Sequence, residues 1–239
     1  MRAELKGKNE KRGKVMSGYI YDLHIHTDES SLCGRVPAKE MIQLYHEKGY
    51  KGVAITDHYN INFFHSVEKL SWKEQIDAFL QGYRNAKDAA KQFDMDVFLG
   101  IEYRELSNLN DFLVYGLTEE FLYEHPHLYQ LKIDEAVKIF RENGAVIYQA
   151  HPYRPKVSFL SNPEHIDGIE VHNGNSRQVY DEQKTQEAVE KHRFYGISNS
   201  DFHIKEDLAR GGNVFSTPLQ NTQDLVHRLK SGQIDRLIR

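Results

Sequence analysis

His24 and His26 are separated by one apolar residue in the stretch Tyr21-Asp22-Leu23-His24-Ile25-His26-Thr27-Asp28. Residues 19–23 read as a buried strand, and its side-chain period of two puts both imidazoles on one face. Such a pair at a strand end makes half of a metal site. Similar endings recur along the chain. Residues 53–56 end in Asp57-His58, 97–101 in Glu102, 145–149 in Ala150-His151-Pro152, 168–171 in His172-Asn173, and 195–198 in Asn199-Ser200-Asp201-Phe202-His203. Asp111 enters the apolar run 112–115. Singly, each could cap a strand or form a turn. Gathered at one place, they would cost several kcal/mol in repulsion and desolvation unless cations neutralised them. The set therefore points to bound divalent ions.

The elements that must position these groups alternate between strand and helix signals. Seven apolar runs, at 19–26, 53–56, 97–101, 112–115, 145–149, 168–171 and 195–198, read as strands. Helical spacing covers 37–48, stopped by Gly49, and 133–143, closed by Gly144. Ser71 with Glu74 forms a capping box that opens a helix to about Phe93. Residues 179–192 and 222–230 are also helical. Alternation of this kind predicts an α/β fold with a parallel sheet, and seven strands in one domain favour a barrel over an open sheet. In such barrels the site lies at the C-terminal strand ends, which is where the acids and imidazoles fall. The connection at 59–70 could lie over that site, with Tyr59, Phe63 and Phe64 either stacking on a substrate ring or packing on the rim. No glycine-rich dinucleotide or P-loop fingerprint opens a helix.

Composition narrows the class. Of the net charge of −4, residues 1–20 contribute six Lys/Arg against two Glu, or +4, so the rest carries −8. An acidic body argues against nucleic-acid binding through a broad basic face. Residues 1–17 read as a flexible basic tail, leaving 18–239 as one domain. No stretch has the roughly 18 apolar residues of a membrane span, and no secretory signal is visible. The single Cys33 excludes an internal disulfide, as expected of a cytoplasmic protein. Oligomeric state is not legible.

Asp22-Leu23-His24-Ile25-His26-Thr27, Thr56-Asp57-His58, Gly100-Ile101-Glu102, Ala150-His151-Pro152 and Ser200-Asp201-Phe202-His203 resemble, in order and spacing, the successive motifs of the PHP (polymerase and histidinol phosphatase) family. The resemblance implies a distorted seven-stranded TIM-like (β/α) barrel holding two or three Zn, Mn or Fe ions and hydrolysing phosphoesters. Carried over, His24, His26, Glu102 and Asp201 would hold a first metal. Glu102 would bridge to a second held by His151, and His58 with His203 would hold a third. Asp57 would be a ligand or a partner that fixes an imidazole tautomer. The pattern departs at Ser30-Ser31-Leu32-Cys33, where the third metal lacks a ligand unless Cys33 or water substitutes. It departs again at Asp111, which stands where a His is common.

The implied chemistry is attack on phosphorus by a metal-bridged hydroxide, with Arg154 clamping the phosphate and His58 or His203 a candidate proton donor. Asp57 joins them as a catalytic candidate, while Arg177 and Arg210 are weaker phosphate candidates and His172 is more a site wall than a ligand. The expected substrate is a small phosphorylated metabolite, a nucleotide or an oligonucleotide end. Two alternatives stand beside it. An amidohydrolase-type C–N hydrolase also starts with H-x-H, but its usual metal-bridging Lys is missing from 111–116. The other is a non-catalytic metal-binding module.

Overall fold

The computed structural model describes residues 18–239, so the tail expected at 1–17 lies outside the described residues. Strand β1 (Tyr19–Ile25) leads to α1 (Ala38–Glu47), β2 (Gly52–Ile55), the short β3 (His58–Tyr59) and the helices α2 (Ile61–Ser66), α3 (Trp72–Phe79) and α4 (Gln81–Ala90). There follow β4 (Asp96–Arg104), β5 (Asp111–Tyr115), α5 (Glu119–Glu124), α6 (Ile133–Glu142), β6 (Val146–Gln149) and β7 (Gly168–Asn173). The chain ends with α7 (Glu182–His192), β8 (Tyr195–Asn199), β9 (Gly212–Phe215), α8 (Thr222–Ser231) and β10 (Arg236–Ile238).

The strands are bonded in the order β10-β9-β1-β2-β4-β5-β6-β7-β8, with β3 added beside β4. Just past β8 the chain returns to β1. His26 N donates to Phe202 O at 2.9 Å and Phe202 N to His24 O at 3.2 Å, so the sheet nearly closes into a barrel. All seven expected strands are present, as β1, β2 and β4 to β8. The expectation of a wholly parallel sheet needs correction. Strand β5 runs antiparallel to both β4 and β6, and β9 runs antiparallel to β1. Residues 105–110 are too short for the crossover that a parallel neighbour requires. Reversal also explains why Asp111 reaches the rim from the start of its strand, while the other candidates come from strand ends.

Two further expectations change. The helix expected from Ser71 to about Phe93 is split at Leu80 into α3 and α4. Near the start of α4, Gly82 packs so tightly that a Cβ there would lie 2.0 Å from Thr27 Oγ1, and its N–H donates to Ser30 Oγ at 2.9 Å. The aromatic connection holds α2, whose first N–H groups are accepted by the Asn60 side chain. Its Phe64 stacks on Tyr129 with ring centroids 4.1 Å apart, so Phe64 and Tyr59 pack into the core, whereas Phe63 lines a cavity beside His58 and Arg104.

Strand parity separates two apolar layers. Val53, Ile55, Leu99, Ile101, Phe112, Val114, Ile147 and Ile169 pack outward against the helices. Alternate residues Ala54, Phe98, Leu113, Tyr115, Val146, Tyr148 and Ile197 fill the interior with Tyr21 and Leu23, and Leu225 and Leu229 of α8 close its lower end. Continuing the interior parity upward reaches Thr56 and His58, Glu102, Asp111, Glu170, and Asn199 then Asp201. Strand β1 is the exception. Leu23 belongs to the interior, but Ile25 belongs to the outer layer. A register irregularity between Asp22 and Ile25 shifts the parity, turning His24 and His26 inward.

Candidate metal centre

The upper interior gathers the acids and imidazoles. His24 Nε2 lies 3.2 Å from His26 Nε2, 3.3 Å from Glu102 Oε1 and 3.4 Å from Asp201 Oδ1. His26 Nε2 is 3.4 Å from both Glu102 Oε2 and Asp201 Oδ1. Glu102 Oε1 is 2.9 Å from His151 Nε2, and its Oε2 is 2.6 Å from His58 Nδ1. Four overlapping groups result, each compact enough for one ion: His24-His26-Glu102, His24-His151-Asp201, Glu102-Asp111-His151 and His26-His58-His203. Glu102 sits between the groups, fully buried.

Neighbouring side chains fix the tautomers. His24 Nδ1–H donates to Glu170 Oε1 at 3.1 Å, and His26 Nδ1–H donates to Ser31 Oγ at 3.1 Å. Both Nε2 lone pairs therefore face each other across 3.2 Å, an arrangement that a shared cation or proton must relieve. Ser31 Oγ donates onward to Asp57 Oδ1 at 2.7 Å. Asp57 also accepts from Thr27 N and Thr27 Oγ1, both at 2.8 Å. Its oxygens are thus turned onto Thr27 and Ser31 and belong to none of the four groups, which leaves Asp57 behind His26 as the tautomer-fixing partner. The readings of Asp57 as ligand and as catalytic group lose their geometry here.

Charge distribution follows from burial. Burial raises Glu102, but the imidazoles of His58 and His24 outweigh it and hold the carboxylate well below its usual range. Asp201 behaves alike, with His24 the main opposing charge. Burial lowers His24, yet Asp201, Glu170 and Glu102 lift it well above the ordinary imidazole value. His26 is pushed well below by burial and by His203 and His58. Burial also raises Asp57 to about 6. Ionised acids around imidazoles that demand protons are what a divalent cation would satisfy instead. Glu102 Oε2, His58 Nδ1 and His151 Nδ1 are moreover buried without a hydrogen-bond partner. With mixed imidazole nitrogen and carboxylate oxygen donors, the residues fit Zn, Mn or Fe.

Asp111 carries a complication. It lies 3.8 Å from His151 Nε2, but both its oxygens take a bidentate ion pair from Arg104, at 2.6 and 2.7 Å. Arg104 was not among the sequence candidates. It follows Glu102 by two residues on β4, and that spacing was the available signal. Glu170 was missed too, although a lone acid inside the apolar run 168–171 marks it. Asn173 and Asn199 hold Glu170 from either side, each at 2.8 Å. His172 lies outside, with Nε2 on the Arg210 carbonyl at 2.9 Å.

Above the cluster opens a cavity of about 260 Å³, lined by Glu102, His151, Asp201, His58 and His203 together with Arg104, Arg154 and Arg177. Arg154 reaches Asp201 Oδ2 with Nη2 at 3.1 Å, while its Nε is buried and unpartnered. Arg177 is held by Asp207 at 2.7 Å. Arg210 is not part of the wall. His151 and Asp201 have φ of 27° and 51°, so both leave their strands through left-handed backbone.

Acids and imidazoles gathered at one end of a mixed α/β barrel define a fold with a candidate metal centre. The PHP domain family model matches residues 22–205, and the chain belongs to that family. No curated protein matches the chain. Among solved structures, it is similar to a two-domain protein from Bacteroides vulgatus containing a predicted PHP-like metal-dependent phosphoesterase. The identity is 17% and the TM-score 0.66, over 91% of this chain and 64% of that one, so this chain spans under two thirds of that neighbour. A candidate metal-dependent phosphoesterase from Bifidobacterium adolescentis is 16% identical at TM-score 0.51, over 77% and 88% of the two chains. An amidohydrolase from Chromobacterium violaceum, solved with sulfate and no metal, is 14% identical at TM-score 0.55, over 90% and 97%. Among the described residues, no helix is long and apolar enough to cross a membrane.

Proposed function

We propose that this chain is a metal-dependent phosphoesterase, working in the cytoplasm on a small phosphorylated metabolite or nucleotide. The observation that carries the reading is the shared cavity, in which the candidate metal-ligand groups and the side chains of three arginines line one space. Bound at the floor, two or three divalent ions would supply the charge that activates water and offsets the phosphoryl oxygens. The protein's own part is orientation. Arg154, which lines the cavity beside Asp201, grips a phosphoryl oxygen, and Arg104, locked by Asp111, presents a rigid second charge. Glu170 and Ser31 keep the Nε2 lone pairs of His24 and His26 turned to the floor. Grouped with His26 and His203 within reach of one ion, His58 reads as a ligand in preference to a proton donor. About 260 Å³ lies at the small end of ligand pockets, which favours a compact substrate over a strand of nucleic acid.

The test is hydrolysis of an aryl phosphate monoester, a diester and an aryl amide by protein loaded with Zn, Mn or Fe(II). Phosphate release is expected, with Arg154→Lys lowering kcat/KM about tenfold through lost bidentate contact, a change of ~1.4 kcal/mol. Amide cleavage alone would replace this reading with a C–N hydrolase. No turnover by protein that nevertheless binds metal would support the non-catalytic module.

A further inference from the structure

The loop joining β1 to α1 folds back on itself through Ser31 N to Thr27 O at 3.0 Å, Gly34 N to Ser31 O at 3.1 Å and Asp28 N to Val36 O at 3.2 Å. Arg35 N donates to His203 O at 2.9 Å, tying the loop to one member of the imidazole group. Gly34 makes the fold-back feasible, since a Cβ there would lie 2.2 Å from Thr27 O. The loop thereby delivers the Cys33 side chain to the cavity wall beside His58 and His203, while Leu32 points to solvent. Cys33 also lines an adjoining cavity of about 250 Å³ that shares His58 and Arg104.

His26, His58 and His203 offer three nitrogens within one ion's reach. His203 Nδ1–H is spent on the Asp201 carbonyl at 2.8 Å, which leaves Nε2 as its free nitrogen. Facing this group is Glu102 Oε2, buried and 2.6 Å from His58 Nδ1 yet without hydrogen-bond geometry to it, a second sign that a cation belongs there. An imidazole triad binds a divalent ion more firmly with a further anionic donor, and Cys33 is the anion-forming side chain that the loop supplies at the mouth.

We propose that Cys33 binds as a thiolate to the outermost ion, alongside His58 and His203, making that position a sulfur-bearing site distinct from the nitrogen and oxygen sites beneath it. The proposal rests on the metal-centre reading above. A soft sulfur donor would bias this one position toward Zn or Fe(II) over Mn, while the deeper positions keep no such preference.

Because the chain has one cysteine, the thiolate signal has a single source. The experiment is Co(II) titration of the full chain, followed by visible and near-ultraviolet absorption and by the rate of iodoacetamide alkylation. The wild type is expected to show the sulfur-to-cobalt charge-transfer band beside the visible ligand-field bands, and alkylation is expected to slow about tenfold on metal binding as the thiolate is masked. Cys33→Ser and Cys33→Asp, checked for fold by circular dichroism, should keep the ligand-field bands and lose the charge-transfer band. Ligand-field bands without a charge-transfer band in the wild type would overturn the sulfur ligand and leave the metal centre standing. Failure to take up cobalt at all would overturn both.

Discussion

The two ends of the barrel interior are built on the same strands and the same parity, yet they carry opposite chemistry. At the lower end Tyr21, Leu23, Phe98, Leu113, Tyr148, Leu225 and Leu229 are buried, each apolar side chain contributing about 1.5–3 kcal/mol by leaving water. At the upper end the continuing positions are the half-buried His58 and the buried Glu102, Asp111, Glu170 and Asp201, whose burial opposes folding unless charge is matched. The lower end holds the barrel together. The upper end draws on that stability to keep ligands gathered that would otherwise repel. Changes at the two ends should therefore separate, with activity and metal content lost from one and stability from the other.

The largest effect is expected from Glu102→Gln, which removes the acid shared between groups. Activity should fall to that of metal-free protein and bound metal, read by elemental analysis, should drop with it; a variant with full metal content would break the comparison. Next, Leu229→Ala at the lower end should cost about 2–5 kcal/mol in denaturant unfolding. Its kcat per folded molecule should stay unchanged, and a large loss of kcat would show that the ends are coupled. Glu170→Gln keeps the shape but weakens the partner of His24, so metal affinity by competition with a chelator should fall about 10–100-fold.

A smaller, signed effect concerns pH. Asp22 and Asp57 have pKa values raised to about 6 by burial, and His24, His58 and His203 are raised too. Groups raised on folding stabilise below their unfolded values and lose that contribution as pH rises through the folded ones. His26 and Cys33, both lowered on folding, oppose this trend, but the five raised groups outnumber them, so chelator-treated protein should lose Tm between about pH 5 and about pH 8. With saturating metal, which displaces the imidazole protons, the slope should reverse or flatten. A chelated protein that gains Tm over this range would contradict the charge assignment.

Most of the rim was legible because each candidate ligand ends an apolar run, and a strand's direction then says where the residue points. Periodicity could not show that β5 reverses, since an apolar run reads the same in both directions; only the short link at 105–110 carried that information. Nor could it show the parity shift in β1, because Leu23 and His24 can both be interior only through a backbone irregularity with no side-chain signature. Arg104 and Glu170 were overlooked for another reason. The end of an apolar run marks one residue, whereas strand alternation continues through it in both directions and puts further side chains on the same face. The break between α3 and α4 depends on Gly82 meeting Thr27, a tertiary contact.

The left-handed backbone at His151 and Asp201 has a practical corollary. Each such turn stores about 1–3 kcal/mol that the surrounding packing must hold. Alanine at either place would remove a donor and keep the torsional penalty, mixing two losses in one measurement. Asparagine tolerates that conformation better than most side chains. His151→Asn and Asp201→Asn are accordingly the replacements that isolate coordination from backbone geometry, and a protein engineer recasting this rim for another ion would start from them.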